Sequence, residues 1–402
     1  MKTPDPSTVK IDSLILDYIK KYQDKPDGEI AKEILKDNPI LRKKYSKSDN
    51  LRRRVFLVRE DHNLPKISKL KLNKIPPNPR EILKDQIKKL LKLPRTIHEI
   101  ANQLDKSPRE TESLINELRE EKYNIVLKDD LVELSNSMQV GAVKRIDISA
   151  YENKTYKFGV ISDNHLNSKY ERLDVLNSVY DIFQQEGITE VYNAGNWIDG
   201  EARFNKFEII NHGITPQIEY FLKNYPKREG ITTHFIAGDD HEGWYVQRER
   251  INIGEYTQML AEKQGRFDLK YLGYVEADIE FKARKGKAIM KIMHPGGGSA
   301  YALSYTPQKI VESFSGGEKP NILIIGHYHK ADYFFYRNTH VLQAGCTQDQ
   351  TVFMRKLKIQ AALGGWIIEM QQSKDGTINR FKAEWLAYFD KGYYKKQGYY
   401  RD

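Results

Sequence analysis

The second half of the chain alternates short apolar runs with amphipathic stretches. Each apolar run is followed at once by polar or glycine-rich residues, the pattern of strands buried on both faces. Five such strands are predicted, at 158–162, 191–194, 233–237, 288–293 and 322–325. The amphipathic segment Leu173–Gln185 predicts a helix between the first two strands. This alternation predicts an α/β sheet domain, which we place at 141–402 together with a tyrosine-rich C-terminal tail.

The first part of the chain shows helical spacing instead. Within residues 1–65, apolar positions recur three and four apart in three segments. The third segment carries a basic surface, made of Arg52, Arg53, Arg54 and Arg59. Three short helices with a basic third one predict a helix-turn-helix-like module that contacts nucleic acid. A small helical bundle with a solvated basic face is the alternative.

A proline-rich linker and a second module are predicted next. Residues 66–79 have no period and several prolines, which is typical of a stiff linker. Residues 80–140 show three amphipathic segments and then two short apolar runs, the order of a winged helix. The third of these segments is rich in glutamate, which makes it a poor surface for phosphates. We therefore expect this winged-helix-like module to pack on a neighbouring part of the protein.

Charge and composition narrow the class of protein. The net charge is +10 at pH 7, and residues 41–80 alone hold 13 Lys and Arg against 3 Asp and Glu. This distribution suits a polyanionic partner such as DNA. The one cysteine, Cys346, excludes an intrachain disulfide and a thiolate-rich metal cage. No apolar stretch is long enough to cross a bilayer and no signal-peptide pattern is present, so we expect a cytoplasmic protein without a membrane partner.

Polar side chains follow each of the five predicted strands. They are Asp163, His165, Asn196, Asp199, Asp240, His241, Glu242, His294, His327 and His329. Because ligand sites of α/β sheets lie at the carboxyl ends of the strands, we expect these side chains to converge. Imidazole and oxygen ligands without thiolate suit manganese, iron, zinc or nickel rather than calcium. Two such ions with a shared ligand are the arrangement for in-line phosphoryl displacement.

In their order, these segments resemble the calcineurin-like metallophosphoesterase superfamily. Its pattern is Asp-x-His, Gly-Asp-x-x-Asp, Gly-Asn-His-Asp/Glu, a lone His and Gly-His-x-His, and counterparts of all five blocks occur in order across 163–329. The resemblance implies a four-layer αββα sandwich of two sheets flanked by helices. It also implies two divalent metal ions, for which manganese is favoured and iron, zinc, nickel or magnesium are the alternatives. It says nothing of the helical modules.

The resemblance implies two groups of three metal ligands, one group for each ion. The first group is Asp163, His165 and His329, and the second is Asp240, His294 and His327. Asn196 stands at the position that bridges the ions. His241 is implied as the general acid for the leaving oxygen, with Asp199 or Glu242 orienting its neighbours.

Two departures from the superfamily pattern concern the bridge between the ions. The bridging Asp of the superfamily is Asn196 here, and its metal-binding Asn is Asp240, preceded by an additional Asp239. A neutral amide is a poor bridge between two dications. Either Asp240 or Asp239 supplies the carboxylate that Asn196 lacks, or the site is weakened, naturally or by a substitution.

The resemblance and the basic window together predict a metal-dependent phosphodiesterase or nuclease that acts on DNA. Among members of the superfamily, the chain resembles SbcD-like DNA repair nucleases most in type. Arg203 and Arg248 are candidates to contact the scissile phosphate, and Trp244 is a candidate either to stack on a base or to pack the domain. One alternative is a phosphatase, or an RNA or cyclic-nucleotide phosphodiesterase, whose helical region binds a protein. Another is a DNA-binding protein with a degenerate metal site. Whether a homodimer or an ATPase partner forms stays open.

Overall fold

The computed structural model describes residues 6–22, 25, 27–41, 45, 48–62, 64, 78–128, 130–135, 141, 143–148, 151, 154–298, 300 and 302–392. The chain divides into two compact units, Met1–Ile82 and Leu83–Asp402. The predicted linker at 66–79 lies outside the described residues except for its last two positions, and so does the tyrosine-rich tail beyond residue 392. Within the described ranges, no helix has both the length and the hydropathy needed to cross a membrane.

Three helices form the first unit, namely α1 (Pro6–Lys21), α2 (Asp27–Asp37) and α3 (Ser48–Asp61). Each helix buries one apolar face against the other two. The buried residues include Ile15, Ile19, Ile30, Ile34, Leu51, Val55 and Val58. Helices of this length are marginal in isolation, so this shared core stabilises them.

The basic surface of α3 is smaller than its sequence predicts. Arg52 and Arg53 are exposed to solvent. Arg54 is paired with an acidic side chain of α1, and its Nε donates to Asp12 Oδ1 at 2.7 Å. Two of the predicted arginines therefore remain free to meet a phosphate without breaking an ion pair that the structure shows.

Arg59 is a buried structural residue. It is 1% exposed, and its Nε donates to Asp27 Oδ1 at 2.6 Å. Its guanidinium therefore ties α3 to the start of α2. The expectation that Arg59 contacts nucleic acid is wrong, because the ion pair would have to be broken first. Breaking a buried pair costs about 3–5 kcal/mol.

Three further helices and a hairpin follow, namely α4 (Pro79–Leu90), α5 (Ile97–Leu104), α6 (Pro108–Glu120), β1 (Ile125–Lys128) and β2 (Leu131–Leu134). Thr96 and Glu99 form a capping box at the start of α5. The hydroxyl of Ser107 accepts from the Glu110 N–H at the start of α6. The order of elements is the one that the sequence predicts, and the assignments to helix-turn-helix and winged-helix classes stay predictions.

This segment packs on the α/β domain that follows it. The N–H of Asn124 donates to the carbonyl of Arg250 at 3.0 Å, and the N–H of Asn252 donates to the carbonyl of Lys122 at 2.8 Å. The Arg250 guanidinium also donates to the carbonyl of Leu134. These contacts agree with the expectation that the module at 80–140 packs on a neighbouring part of the protein.

Two six-stranded sheets make up the α/β domain. Sheet A contains, in spatial order, β14 (Ile378–Tyr388), β13 (Leu363–Gln372), β4 (Thr155–Ile161), β5 (Glu190–Asn193), β6 (Thr232–Ala237) and β7 (Leu269–Tyr274). Sheet B contains β11 (Ala331–Tyr336), β12 (Thr339–Ala344), β10 (Ile322–Ile325), β9 (Lys287–Met293), β8 (Glu276–Lys282) and β3 (Val143–Asp147). The five predicted strands are confirmed as β4, β5, β6, β9 and β10.

The sheets face each other across a core and carry helices on their outer faces. The core between them includes Phe158, Val160, Tyr192, Ile236, Phe281, Met290, Ile292, Ile322 and Ile324. Sheet A is covered by α7 (Leu173–Gln185), α8 (Ile214–Asn224), α9 (Gly243–Glu249) and α10 (Ile253–Lys263), and sheet B by α11 (Tyr305–Ser313). A short helix, α12 (Val352–Leu357), precedes β13. Helix, sheet, sheet and helix are the four layers that the resemblance implies.

The strands that lead to the candidate ligands are neighbours. In sheet A, β4, β5 and β6 are adjacent and parallel, and in sheet B the same is true of β9 and β10. The carboxyl ends of adjacent parallel strands lie at one edge of a sheet. The sheet topology therefore brings together five loops that are far apart in the sequence.

Candidate metal centre

The first group of predicted ligands comes together at this edge. Asp163 Oδ1 lies 3.3 Å from His329 Nε2, and His329 Nε2 lies 3.1 Å from His165 Nε2. One ligand atom from each of the three residues lies within 4.8 Å of the others. The side chains of Asp163 and His165 are almost fully buried. This spacing is small enough for a single ion to contact all three.

The second group lies beside the first and is built in the same way. Asp240 Oδ1 lies 3.3 Å from His294 Nε2, and Asp240 Oδ2 lies 3.2 Å from His327 Nδ1. These ligand atoms also lie within 4.8 Å of one another. Each group therefore contains one carboxylate and two imidazoles.

Asn196 lies next to both groups. Its Nδ2 donates to Asp163 Oδ1 at 3.4 Å. A Cβ atom on Gly238 would lie 3.0 Å from Asn196 Oδ1, 3.1 Å from Asp240 Oδ1 and 2.7 Å from the His294 ring. The amide oxygen therefore faces the second group, and only glycine at position 238 leaves room for these side chains.

Six polar atoms of residues at the centre are buried and have no hydrogen-bond partner among the described residues. They are Asn196 Oδ1, Asp240 Oδ1, His294 Nε2, His327 Nδ1, His329 Nδ1 and Glu242 Oε2, and the first four belong to the second group and to Asn196 beside it. Each buried polar atom without a partner costs about 1–3 kcal/mol. Converging oxygen and imidazole nitrogen atoms are, however, the ligand set of divalent transition-metal ions. The chemistry of the unpaired atoms thus fits a metal centre.

The backbone at the candidate positions is left-handed. Six candidates have φ between 46° and 78°, namely Asp163, His165, Asn196, His241, His327 and His329. Residues other than glycine rarely adopt this conformation, which costs roughly 1–2 kcal/mol per residue. Such strain clusters at functional sites, where the surrounding structure holds it in place. Here it turns the chain sharply just after the strands end.

Asp199 orients the His165 ring of the first group. Its Oδ1 lies 3.1 Å from His165 Nδ1. Burial opposes ionisation of Asp199, but hydrogen bonds and charge from His165 and His241 outweigh burial and hold the pKa of the carboxyl well below its usual range. An ionised Asp199 accepts the Nδ1 proton of His165. The lone pair of His165 Nε2 is then available to a metal ion.

His241 presents one ring nitrogen to the solvent side of the centre. Its Nδ1 lies 2.9 Å from the main-chain carbonyl oxygen of Asp199. A carbonyl can only accept, so the Nδ1 atom carries the proton of this hydrogen bond. The ring stacks on Trp244 with centroids 4.5 Å apart, and its edge meets the ring of His165 at 4.3 Å. The Nε2 atom is therefore the one that can exchange a proton with a ligand.

Glu242 lies beneath the centre. Its Oε1 accepts from the N–H groups of Asn196 and Gly238, both at 2.9 Å. Burial raises the pKa of Glu242 to about 8, against the opposing charge of His294. The side chain ties the loop after β5 to the loop after β6. This geometry makes Glu242 a positioning residue rather than a group that touches substrate.

A cavity of about 450 Å³ opens onto both groups. Its polar wall includes His165, Asn196, Asp240, His241, His327 and His329. Its apolar lining includes Phe204, Trp244, Val352, Phe353, Met354 and Leu357. Lys356 adds a cation to the lining. Phe204, Phe353 and Lys356 belong to segments without a motif, and no signal in the sequence identifies them.

The two arginines predicted near the scissile phosphate lie elsewhere. Both Arg203 and Arg248 are exposed, and the described residues that line the cavity include neither of them. The Arg248 guanidinium lies over the ring of Tyr245 at 5.1 Å. The structure therefore does not bring these two arginines to the candidate metal centre.

Comparison with known proteins gives weak similarities. No protein-family model matches the chain, and no curated protein matches it. Among solved structures, an archaeal phosphodiesterase is 14% identical, covers 57% of this chain and 100% of its own, and has a TM-score of 0.30. Vacuolar protein sorting 29 from Cryptosporidium parvum is 14% identical, covers 58% of this chain and 99% of its own, and has a TM-score of 0.31. A predicted phosphoesterase from Streptococcus pneumoniae is 13% identical, covers 57% and 98%, and has a TM-score of 0.28. Similarity at this level carries no argument about function, which has to be inferred from the site.

Proposed function

We propose that the chain is a metal-dependent phosphodiesterase that hydrolyses DNA. The observation that carries this proposal is the pair of adjacent ligand groups, each with one carboxylate and two imidazoles, which open onto one cavity. Two neighbouring cations suit in-line displacement at phosphorus, because both the attacking and the leaving oxygen carry negative charge. The proposal also assigns the chain to the calcineurin-like metallophosphoesterase superfamily, because the sequence motifs occur in the order typical of that superfamily.

The two groups would each hold one divalent ion, with Asn196 between them. When bound, the ions supply positive charge that neutralises the phosphate during displacement. Nitrogen and oxygen ligands favour manganese, with iron, zinc, nickel or magnesium as alternatives. Cys346 is buried and belongs to neither group. Thiolate ligation therefore has no part in the proposal.

His241 is the proposed proton donor to the leaving oxygen. It lines the cavity, and its Nδ1 is engaged by the carbonyl of Asp199. Only Nε2 remains to donate to a ligand, and stacking on Trp244 restricts rotation of the ring. General acid catalysis of this kind contributes about 10²–10⁴-fold to the rate.

Asn196 and Asp240 are proposed to have exchanged the ligand types of the superfamily pattern. One carboxylate stands in each group, Asp163 in the first and Asp240 in the second. The count of carboxylates in the centre is thereby kept. Asp240 rather than Asp239 faces His294 and His327. The site is then complete, with the amide nitrogen of Asn196 bonded to Asp163 in the first group and its oxygen facing the second.

The choice of DNA rests on charge. Arg52 and Arg53 are exposed within the most basic window of the chain, residues 41–80, which holds 13 Lys and Arg against 3 Asp and Glu. Contacts with phosphates dominate the affinity of proteins for nucleic acid and weaken as salt rises. The double substitution Arg52→Ala with Arg53→Ala should therefore weaken DNA binding and lower its salt slope by roughly 2.

The activity is tested with protein stripped of metal by a chelator and then supplied with Mn²⁺, Mg²⁺ or Zn²⁺. The substrates are labelled single- and double-stranded DNA, RNA, a chromogenic phosphodiester and a chromogenic phosphomonoester. We expect metal-dependent cleavage of DNA that Asp163→Ala and Asp240→Ala abolish. Hydrolysis of the monoester alone would replace the proposal by a phosphatase. DNA binding with no hydrolysis of any substrate would leave only a non-catalytic role.

A further inference from the structure

A chain of aromatic side chains leads from the candidate acid to the protein surface. The ring of His241 stacks on Trp244 with centroids 4.5 Å apart, and the edge of Trp244 meets Phe204 at 5.3 Å. Phe204 in turn stacks with Phe353 at 6.3 Å and an interplanar angle of 26°. We call Phe204, Trp244 and Phe353 the aromatic shelf. All three residues line the cavity onto which the ligand groups open.

The outer part of the shelf is unusually exposed. Phe204 is 67% exposed and Phe353 is 56% exposed, although each contacts another ring. Val352 and Leu357 beside them are also exposed. Exposed apolar surface that borders a polar cavity is typical of a ligand-binding groove. The shelf is continuous with the proposed reaction centre, so its occupant is the molecule that reaches His241.

Lys356 lies on the same short helix as Phe353, the outer ring of the shelf. Lys356 follows Phe353 by three residues in α12, which places both on one side of the helix. Both residues line the cavity. An aromatic face beside an ammonium group is the combination that proteins use for single-stranded nucleic acid, in which bases stack on rings and phosphates meet cations.

We propose that the aromatic shelf binds unpaired nucleobases next to the scissile phosphate, so that the substrate is single-stranded DNA or a frayed end. This inference rests on the proposed function and names the substrate class of the same site. In a duplex, each base is covered by its neighbours in the stack. A duplex would therefore have to unstack before a base could lie on Phe204 or Phe353.

The test compares two single-stranded oligonucleotides of equal length and equal phosphate number. One carries normal bases, and the other carries a tract of abasic tetrahydrofuran residues. For the wild-type protein we expect KM to be about 100-fold higher for the abasic strand, because two base–aromatic contacts of about tenfold each are lost. Phe204→Leu and Phe353→Leu keep apolar volume but remove the flat ring. We expect each to bring the two KM values closer together by about tenfold.

Phe207→Leu is the matched control, because Phe207 is 84% exposed and does not line the cavity. It should keep the wild-type ratio of the two KM values. An unchanged ratio in both shelf variants, or wild-type preference for a blunt duplex over the single strand, would overturn the shelf assignment while the phosphodiesterase stands. Failure of the wild-type protein to cleave any strand in any metal would instead defeat the proposed function. Thermal melting of each variant verifies that it is folded.

Discussion

The Nδ1 atom of His241 lies 2.9 Å from the main-chain carbonyl oxygen of Asp199, whose carboxylate lies 3.1 Å from His165 Nδ1. One residue thus sets the tautomer of the proposed acid through its backbone and that of a proposed ligand through its side chain. In both rings the Nε2 atom is left to act in the centre. The Asp199 carboxylate also lies 3.5 Å from His241 Nδ1, so its side chain supports both rings.

Replacement of His241 should affect chemistry more than binding. His241→Gln is expected to lower kcat on DNA by about 10²–10⁴-fold, the usual contribution of a general acid. The loss should be much smaller on a p-nitrophenyl phosphodiester, because that leaving group departs without a proton. Steady-state kinetics on both substrates measure the difference. His212→Gln is the control, since that side chain is 53% exposed; equal losses on the two substrates would argue against an acid at position 241.

Asn196→Asp tests whether the carboxylate roles are exchanged. The new charge would replace a donor that lies 3.4 Å from Asp163 Oδ1, in a centre that already holds the carboxylate of Asp240. We expect the metal-free protein to lose about 1–3 kcal/mol of stability and the loaded enzyme to lose turnover. Thermal melting with chelator and kinetics with Mn²⁺ provide the measurements. A large gain in turnover would show instead that Asn196 impairs the site, and Asp239→Asn serves as the control outside both groups.

We expect Glu242 to stabilise the folded protein through one carboxylate oxygen, Oε1. Its Oε1 accepts two backbone N–H groups, and Glu242→Ala would leave both of them buried without a partner. We expect that substitution to cost about 2–5 kcal/mol, whereas Glu242→Gln keeps the oxygen and should stay within about 1 kcal/mol of the wild type. Urea denaturation of the metal-free protein compares the two variants. If both are equally stable, the two hydrogen bonds do not hold the loops together.

His340 should contribute a pH dependence that is independent of metal binding. Its ring stacks on Phe381 at 4.1 Å, and burial lowers its pKa to about 4. In the unfolded chain the imidazole of His340 is protonated near pH 6.5. The contribution of His340 to the free energy of unfolding is therefore complete above that pH and is lost as the pH falls towards 4. His340→Phe keeps the stacking and removes the proton. Between pH 6.5 and 4, its unfolding free energy should fall by about 1–2 kcal/mol less than that of the wild type.

Urea denaturation across this pH range measures the effect. His98→Phe is the matched control for the replacement of one histidine by phenylalanine, because His98 is exposed. Parallel curves for wild type and His340→Phe would mean that His340 is protonated in the folded protein as readily as in the unfolded chain.

The strands that build the centre, and the polar residues at their ends, can be recognised from the sequence. Runs such as Ile322–Ile325 are apolar throughout because both faces are buried, so their strand character can be recognised without knowledge of their partners. The polar residues that follow could be identified for the same reason, since they interrupt the apolar pattern abruptly. The helix Leu173–Gln185 was likewise predictable from its period alone.

The contacts that these residues make depend on the tertiary structure. Arg59 looks like a free cation in the sequence, yet it is buried against Asp27, 32 residues earlier. The role of Glu242 depends on N–H groups from two separate loops, and the aromatic shelf joins Phe204 to Phe353 across 149 positions of the chain. Local periodicity reports which face of an element is apolar, but it does not report which distant element covers that face. Burial, ion pairing and the shape of the cavity all depend on which distant element covers each face.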